Sequence, residues 1–176
     1  MTAPVDSSHP RPTPAAAWAR VGFGHDSHSF GPGTGLRLGG IEITGAPRLA
    51  GHSDGDVALH AVADALLGAA GQGDLGRLFP PDARTPKGVS SRELLREVVA
   101  RLAAAGCRPS SIDLVIIGAS PRLGGRLDEM RAAIAGLLDL PAAAVNVKAS
   151  TGNLSGDEGA GRAIAARAVA AVEGAA

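Results

Sequence analysis

An α+β fold (two layers, α on β), with a mixed four-stranded sheet and helices packed on one face, is what this sequence predicts. Three observations lead there. Stretches rich in Val, Ile and Leu alternate with amphipathic stretches at helical spacing, in the order β-β-α-α-β-α-β-α. Hydrophobic residues are 45% of the chain but aromatics only 2%, so the core must be built from Ala, Val, Leu and Ile. No linker or internal repeat interrupts the chain after its first residues, and 176 residues suit one domain with a core of its own.

Each element follows from local signals. Residues 1–17, MTAPVDSSHPRPTPAAA, are Pro-, Ser- and Ala-rich without periodicity and read as a disordered leader, leaving 18–176 as the domain. ARVGFG reads as a short strand. Leu36 to Ile43 reads as a second, or as one broken at Gly39-Gly40, with the turn-rich loop FGPGTG between the two segments. From Ser53 to about Ala70 the spacing of Val57, Leu59, Val62, Leu66 and Leu67 is helical, with Ser53, Asp54 and Asp56 as start signals. A loop follows to Gly88. A helix then begins near Ser90, where Ser90 and Glu93 have capping-box spacing, and stops at Gly106. Ile112 to Ser120 is a buried strand, Arg126 to Leu138 a helix and Ala144 to Ser150 a strand. A glycine-rich loop, TGNLSGDEG, leads to a closing helix from Ala160 to Val172.

Bulk properties exclude several roles. Seventeen basic residues balance 17 acidic ones, which argues against nucleic-acid binding and against a membrane surface as partner. A single cysteine, Cys107, excludes an internal disulfide framework. No run of 18 apolar residues and no secretory signal is present, so a cytoplasmic location is expected.

The chemistry gathers between residues 25 and 60, where four of the five histidines lie. Asp26 and His28 are two apart, so on an extended segment both side chains point the same way. His60, one turn inside a helix, supplies a third ligand from a rigid element. Two imidazoles and a carboxylate suit zinc with an open fourth position, which a catalytic metal needs. Asp56 and Asp64 lie four residues either side of His60 and are expected to orient its ring; alternatively they are a dipole residue and a solvated one. Two loops at strand ends suit phosphate: Lys148 leading into Ala149-Ser150-Thr151-Gly152-Asn153, and Ser120-Pro121-Arg122. Taken singly, each is better read as an ordinary turn; two such loops together at strand ends point to a ligand site.

The segments RVGFGHDSHSF, LAGHSDGDVALHAVADALLGAAGQGDLGRLFP, SSRELL, IDLVIIGASPR and VNVKAST resemble the 2-C-methyl-D-erythritol 2,4-cyclodiphosphate synthase family. The resemblance runs from about Arg20 nearly to the C-terminus. It implies a homotrimer with active sites between subunits. It also implies cyclisation of 4-diphosphocytidyl-2-C-methyl-D-erythritol 2-phosphate with loss of CMP. It places one zinc ion per subunit on Asp26, His28 and His60, and brings Mg²⁺ or Mn²⁺ with the substrate. By the same resemblance His52 and Thr151 stabilise the transition state. Asp26, His28 and Ser53 border the substrate, Asp74, Leu75 and Gly76 meet its methylerythritol part, and Phe79 lies beside it. Gly118, Ala119, Ser120, Pro121, Arg122, Leu123 and Gly124 match the cytidine and phosphate pocket, together with Lys148, Ala149 and Ser150. Three departures stand out. Asn153 replaces a glutamate that binds the second metal in the family, Ala160 replaces an arginine that reappears two residues on as Arg162, and FPPD replaces FPD. They raise an alternative: a non-catalytic zinc-containing paralogue that binds a cytidine nucleotide or isoprenoid precursor. A purely structural zinc site would ordinarily have four protein ligands, and three are evident.

Overall fold

The computed structural model describes residues 18–174; the expected leader, 1–17, lies outside them. Its sheet has five strands, not four: β1 (Trp18–Leu38), β2 (Ile41–Leu49), β3 (Cys107–Ile117), β4 (Val145–Ser150) and β5 (Ala163–Gly174). They lie in the order β2-β1-β5-β3-β4. Only β3 and β4 run parallel, joined over the sheet by α4 (Leu127–Leu138); the other three pairings are antiparallel. The sheet is therefore mixed, as expected. Helices α1 (Val57–Ala70), α3 (Ser91–Ala104) and α4 complete the fold, with short α2 (Leu75–Leu78) and α5 (Gly156–Gly159).

The extra strand corrects the reading of the C-terminal segment. AIAARAVAAVEG has the alanine content of a helix, yet it is β5, inserted between β1 and β3. Its burial alternates: Ile164, Ala166, Ala168, Ala170 and Val172 are buried, while Arg167 and Val169 are exposed. Alanine's helix preference is a fraction of a kcal/mol per residue, and backbone pairing on both edges outweighs it. The expected loop FGPGTG is likewise part of β1. Irregular pairing with β2 there, with register shifts from Phe30 to Leu36, absorbs its glycines. The stretch Leu36 to Ile43 is broken at Gly39-Gly40, the alternative its glycines offered: two strands turn there, and the φ values of 62° and 80° favour glycine.

Helix α1 lies flush on β1 because β1 has no side chains in the way. A Cβ on Gly22 would sit 2.0 Å from the Ala65 carbonyl oxygen, and one on Gly24 2.0 Å from that of Ala61. The helix answers with Ala61, Ala65 and Ala69, all buried. Alternation along β1 then puts Asp26 and His28 on the same face, beyond the glycines and toward the start of α1.

Asp56 fixes that start. Its Oδ1 accepts from the backbone N–H of Leu59 at 3.1 Å, capping α1, and from Gly39 at 2.8 Å; Oδ2 accepts from Gly40 at 2.7 Å. One buried carboxylate thus ties the β1–β2 turn to the helix. Around it the core is aliphatic, with Leu36, Leu38, Leu59, Leu66, Leu95 and Ile116 at 0–1% exposure. No helix among the described residues is long and apolar enough to cross a membrane.

Gly24→Ala is expected to cost about 3 kcal/mol or more, because backbone atoms must move to admit the methyl. Gly68→Ala, on the exposed side of α1 with open space around it, is expected to be neutral or to stabilise by up to about 1 kcal/mol. Urea denaturation of both variants checks the contrast.

Candidate metal centre and active site

Asp26 and His28, on β1, and His60, on α1, converge. Asp26 Oδ2 lies 2.8 Å from His60 Nδ1 and 3.1 Å from His28 Nε2, and one donor atom from each residue falls within 4.8 Å of the other two. The two rings stand 5.4 Å apart at 58°. Two imidazoles around one carboxylate, in a half-buried recess, are a donor set that fits a divalent ion.

The electrostatics follow from that arrangement. Burial pushes the Asp26 carboxyl up, but hydrogen bonds from His28 and His60, and their proximity, outweigh it and hold Asp26 far below the usual carboxylate range. His28 is raised, chiefly by its hydrogen bond to Asp26, with burial opposing. Its Nδ1 is buried without a well-aligned partner.

Asp56 and Asp64 do not orient His60, contrary to the sequence expectation. Asp56 is spent on Gly39, Gly40 and Leu59, and its carboxyl is raised by burial against those three N–H groups. Asp64 accepts from the Leu75 backbone N–H at 2.7 Å and is also raised by burial. The far nitrogen of His60, Nε2, instead meets Ser91 Oγ at 2.9 Å and Ser53 Oγ at 3.1 Å. Ser91 directly follows the capping residue Ser90 and carried no assignment in the sequence.

A cavity of about 160 Å³ opens beside the triad, lined by His28, His52, Ser53, His60, Leu75, Gly76 and Phe79. Thr85 and Leu94 also line it and carried no sequence signal. His52 Nε2 lies 2.7 Å from the Thr85 carbonyl oxygen. A carbonyl only accepts, so this nitrogen carries a proton and the ring is anchored. Asp74 caps α2 by accepting from Arg77 N–H at 2.9 Å.

A second cleft of about 220 Å³ lies at the ends of β3 and β4. Gly118, Ala119, Pro121, Arg122, Leu123, Gly124, Ala149, Ser150 and Thr151 line it, with Leu127. The structure thus brings together most of the residues expected to hold a nucleotide. Ser120 is exposed beside this cleft. Lys148 points elsewhere and pairs with Asp113 at 2.6 Å. Asn153 is exposed in a short turn with φ 54°. Arg162, the displaced arginine, is tied to Asp157, and Glu158 Oε1 accepts from Ser27 Oγ at 3.3 Å. The two clefts share no lining residue.

The Asp26–His28 contact makes a pH prediction for metal-free protein. His28 is raised above its ordinary 6.5 and Asp26 is lowered below its ordinary 3.8. The histidine's contribution is therefore full below about pH 6.5 and fades as pH rises through its folded value; the aspartate's is present above 3.8 and is lost in stronger acid. Denaturation after chelator treatment is expected to show wild type exceeding His28→Gln by more at pH 5 than at pH 9. An equal difference at both pH values contradicts the ion pair.

Comparison with known proteins agrees with this geometry. The family model described as the YgbB family matches residues 19–173. The 2-C-methyl-D-erythritol 2,4-cyclodiphosphate synthase of Alkalilimnicola ehrlichii is 48% identical over 151 residues, which cover 85% of this chain and 92% of that protein. The bifunctional enzyme IspD/IspF of an Anaeromyxobacter species is 47% identical over 170 residues, 97% of this chain; the chain spans only 44% of that longer relative. A solved 2C-methyl-D-erythritol-2,4-cyclodiphosphate synthase in a CDP-bound form superposes with a TM-score of 0.75 at 36% identity, over 86% of this chain and 98% of that one. The chain therefore belongs to the YgbB family, in which its near-full-length relatives are 2-C-methyl-D-erythritol 2,4-cyclodiphosphate synthases.

Proposed function

We propose that this chain cyclises 4-diphosphocytidyl-2-C-methyl-D-erythritol 2-phosphate to 2-C-methyl-D-erythritol 2,4-cyclodiphosphate and releases CMP, in non-mevalonate isoprenoid biosynthesis. The observation that carries the reading is the Asp26–His28–His60 triad beside an anchored His52, in a chain of this family. The three ligands leave a fourth position open, which suits Zn²⁺; when bound, the ion polarises a phosphoryl oxygen. A Mg²⁺ or Mn²⁺ ion would accompany the diphosphate and help neutralise its charge.

The reaction asks little covalent work of the protein. An oxygen of the 2-phosphate attacks the β-phosphorus, the bond to the bridging oxygen breaks, and CMP leaves with that electron pair. Catalysis is then positioning and charge neutralisation. Backbone N–H groups and hydroxyls around Ala149, Ser150 and Thr151 hold phosphate oxygens, and the Gly118–Gly124 loop holds the cytidine. His52, fixed through Nε2 to Thr85, offers its other nitrogen to the reacting phosphates. Ser53, Leu75, Gly76 and Phe79 wall the methylerythritol side. Asn153 would offer that second ion a neutral amide oxygen in place of a carboxylate.

A homotrimer accounts for the two separate clefts, since a site between neighbouring subunits unites one subunit's metal pocket with the other's nucleotide cleft. The open face of the sheet supports it. Val21, Phe23 and Val169 are 70%, 64% and 42% exposed, and Phe23 pairs directly with Val169. Adjacent exposed apolar side chains of this size mark an interface.

Purified protein given substrate, Zn²⁺ and Mg²⁺ is expected to release CMP, and His60→Ala to lose that activity by at least about 100-fold. Tight CDP binding without CMP release supports the non-catalytic paralogue instead. In sedimentation, wild type is expected at the mass of three chains and Phe23→Glu at that of one; a monomeric wild type removes the trimer.

A further inference from the structure

A side-chain relay runs behind the metal triad, from His60 through Ser91 to Asp54. His60 and Ser91 are buried, at 9% and 1% exposure. Ser91 Oγ lies 2.5 Å from Asp54 Oδ1 and 2.9 Å from His60 Nε2. A carboxylate only accepts, so the single hydroxyl proton of Ser91 goes to Asp54. What Ser91 has left for His60 is a lone pair, and His60 Nε2 must then be the donor. Ser53 Oγ, 3.1 Å from the same nitrogen, already accepts from Gly55 N–H at 3.2 Å.

The consequence reaches the other side of the ring. In the metal-free protein a proton on Nδ1 goes to Asp26; a metal ligand must be a bare nitrogen, so an ion takes the place of that proton, and the proton that stays on the ring has to sit on Nε2. We propose that Ser91 and Asp54 are positioning residues that hold the His60 ring proton on Nε2 and thereby present Nδ1 to the metal. The inference rests on the reading that Asp26, His28 and His60 bind an ion.

The surroundings make the relay rigid. Ser91 opens α3, but the cap is Ser90, whose Oγ accepts from Arg92 N–H at 3.3 Å, so the Ser91 hydroxyl is free of that duty. Asp54 is held by its own backbone N–H to the Val89 carbonyl at 3.0 Å. Gly88 N–H to the His52 carbonyl, at 2.7 Å, stitches the same two loops again. β1, α1, α3 and the loop before α1 therefore meet through one imidazole.

The test is zinc affinity by chelator competition on full-length protein. Ser91→Ala and Asp54→Ala are each expected to weaken zinc about 10–100-fold. Because they act in one chain of contacts, the double variant is expected to be no weaker than the worse single. Asp54→Asn keeps an acceptor oxygen for Ser91 and is expected to stay within about threefold of wild type. A merely structural role gives another pattern: lower denaturation midpoints with and without zinc, independent losses that add, and no rescue by Asn. Wild-type affinity in folded Ser91→Ala, or in Asp54→Ala should the first variant not fold, overturns the relay while the metal reading stands. A wild-type chain that takes up no zinc removes the metal reading and the relay together.

Discussion

The close contact between α1 and β1 is the constraint on which the rest of this structure depends. Gly22 and Gly24 let the helix carbonyls of Ala65 and Ala61 approach to where a Cβ would otherwise be. Every second residue of β1 faces that helix. The face that is bare at 22 and 24 therefore carries Asp26 and His28 at the next two positions, and α1 brings His60 down onto them. Neighbouring β5 meets the helical layer with Ala166, Ala168 and Ala170, all 0–1% exposed. Small residues on two strands let a helix lie low enough for a carboxylate and two imidazoles to touch. The same alternation turns Val21, Phe23 and Val169 to the other side of the sheet, where no helix among the described residues covers them.

Close packing is then turned into polar order by three buried or half-buried acids with separate duties. Asp56 secures the helix start to the β1–β2 turn, Asp64 holds α2 at Leu75, and Asp26 stands between the two imidazoles. Only Asp26 is held far below its ordinary range. Burial raises Asp56 and Asp64, whose partners are neutral N–H groups. A carboxylate kept ionised between imidazoles is suited to a cation; one whose charge burial opposes is suited to capping.

Much of the site was legible in the sequence because it depends on short-range periodicity. A two-residue spacing on a strand and a histidine one turn into a helix point where geometry requires, whatever the rest of the fold does. Asp56 and Asp64 were misread for the same reason. Four-residue spacing places them beside His60, but an aspartate at a helix start is claimed by backbone N–H groups, and α2 could not be foreseen as a partner for Asp64. Ser91 and Thr85 were invisible because each reaches the site from a distant segment through one hydroxyl or one carbonyl. The segment from Ala163 to Gly174 went wrong through propensity: alanine favours helices in isolation, while between β1 and β3 it is chosen for its size beneath α1. Family resemblance supplied what spacing could not, namely the substrate and the joining of the two strand-end loops into one nucleotide pocket.

Anomalous diffraction at the zinc edge, from crystals grown with zinc, addresses the metal centre most directly. One peak per chain is expected, about 2.0–2.1 Å from His28 Nε2 and His60 Nδ1 and bonded to Asp26 as well, with its fourth position free of protein ligands. A zinc ion bound elsewhere, or none at this triad, contradicts the metal centre and the role given to the α1–β1 contact.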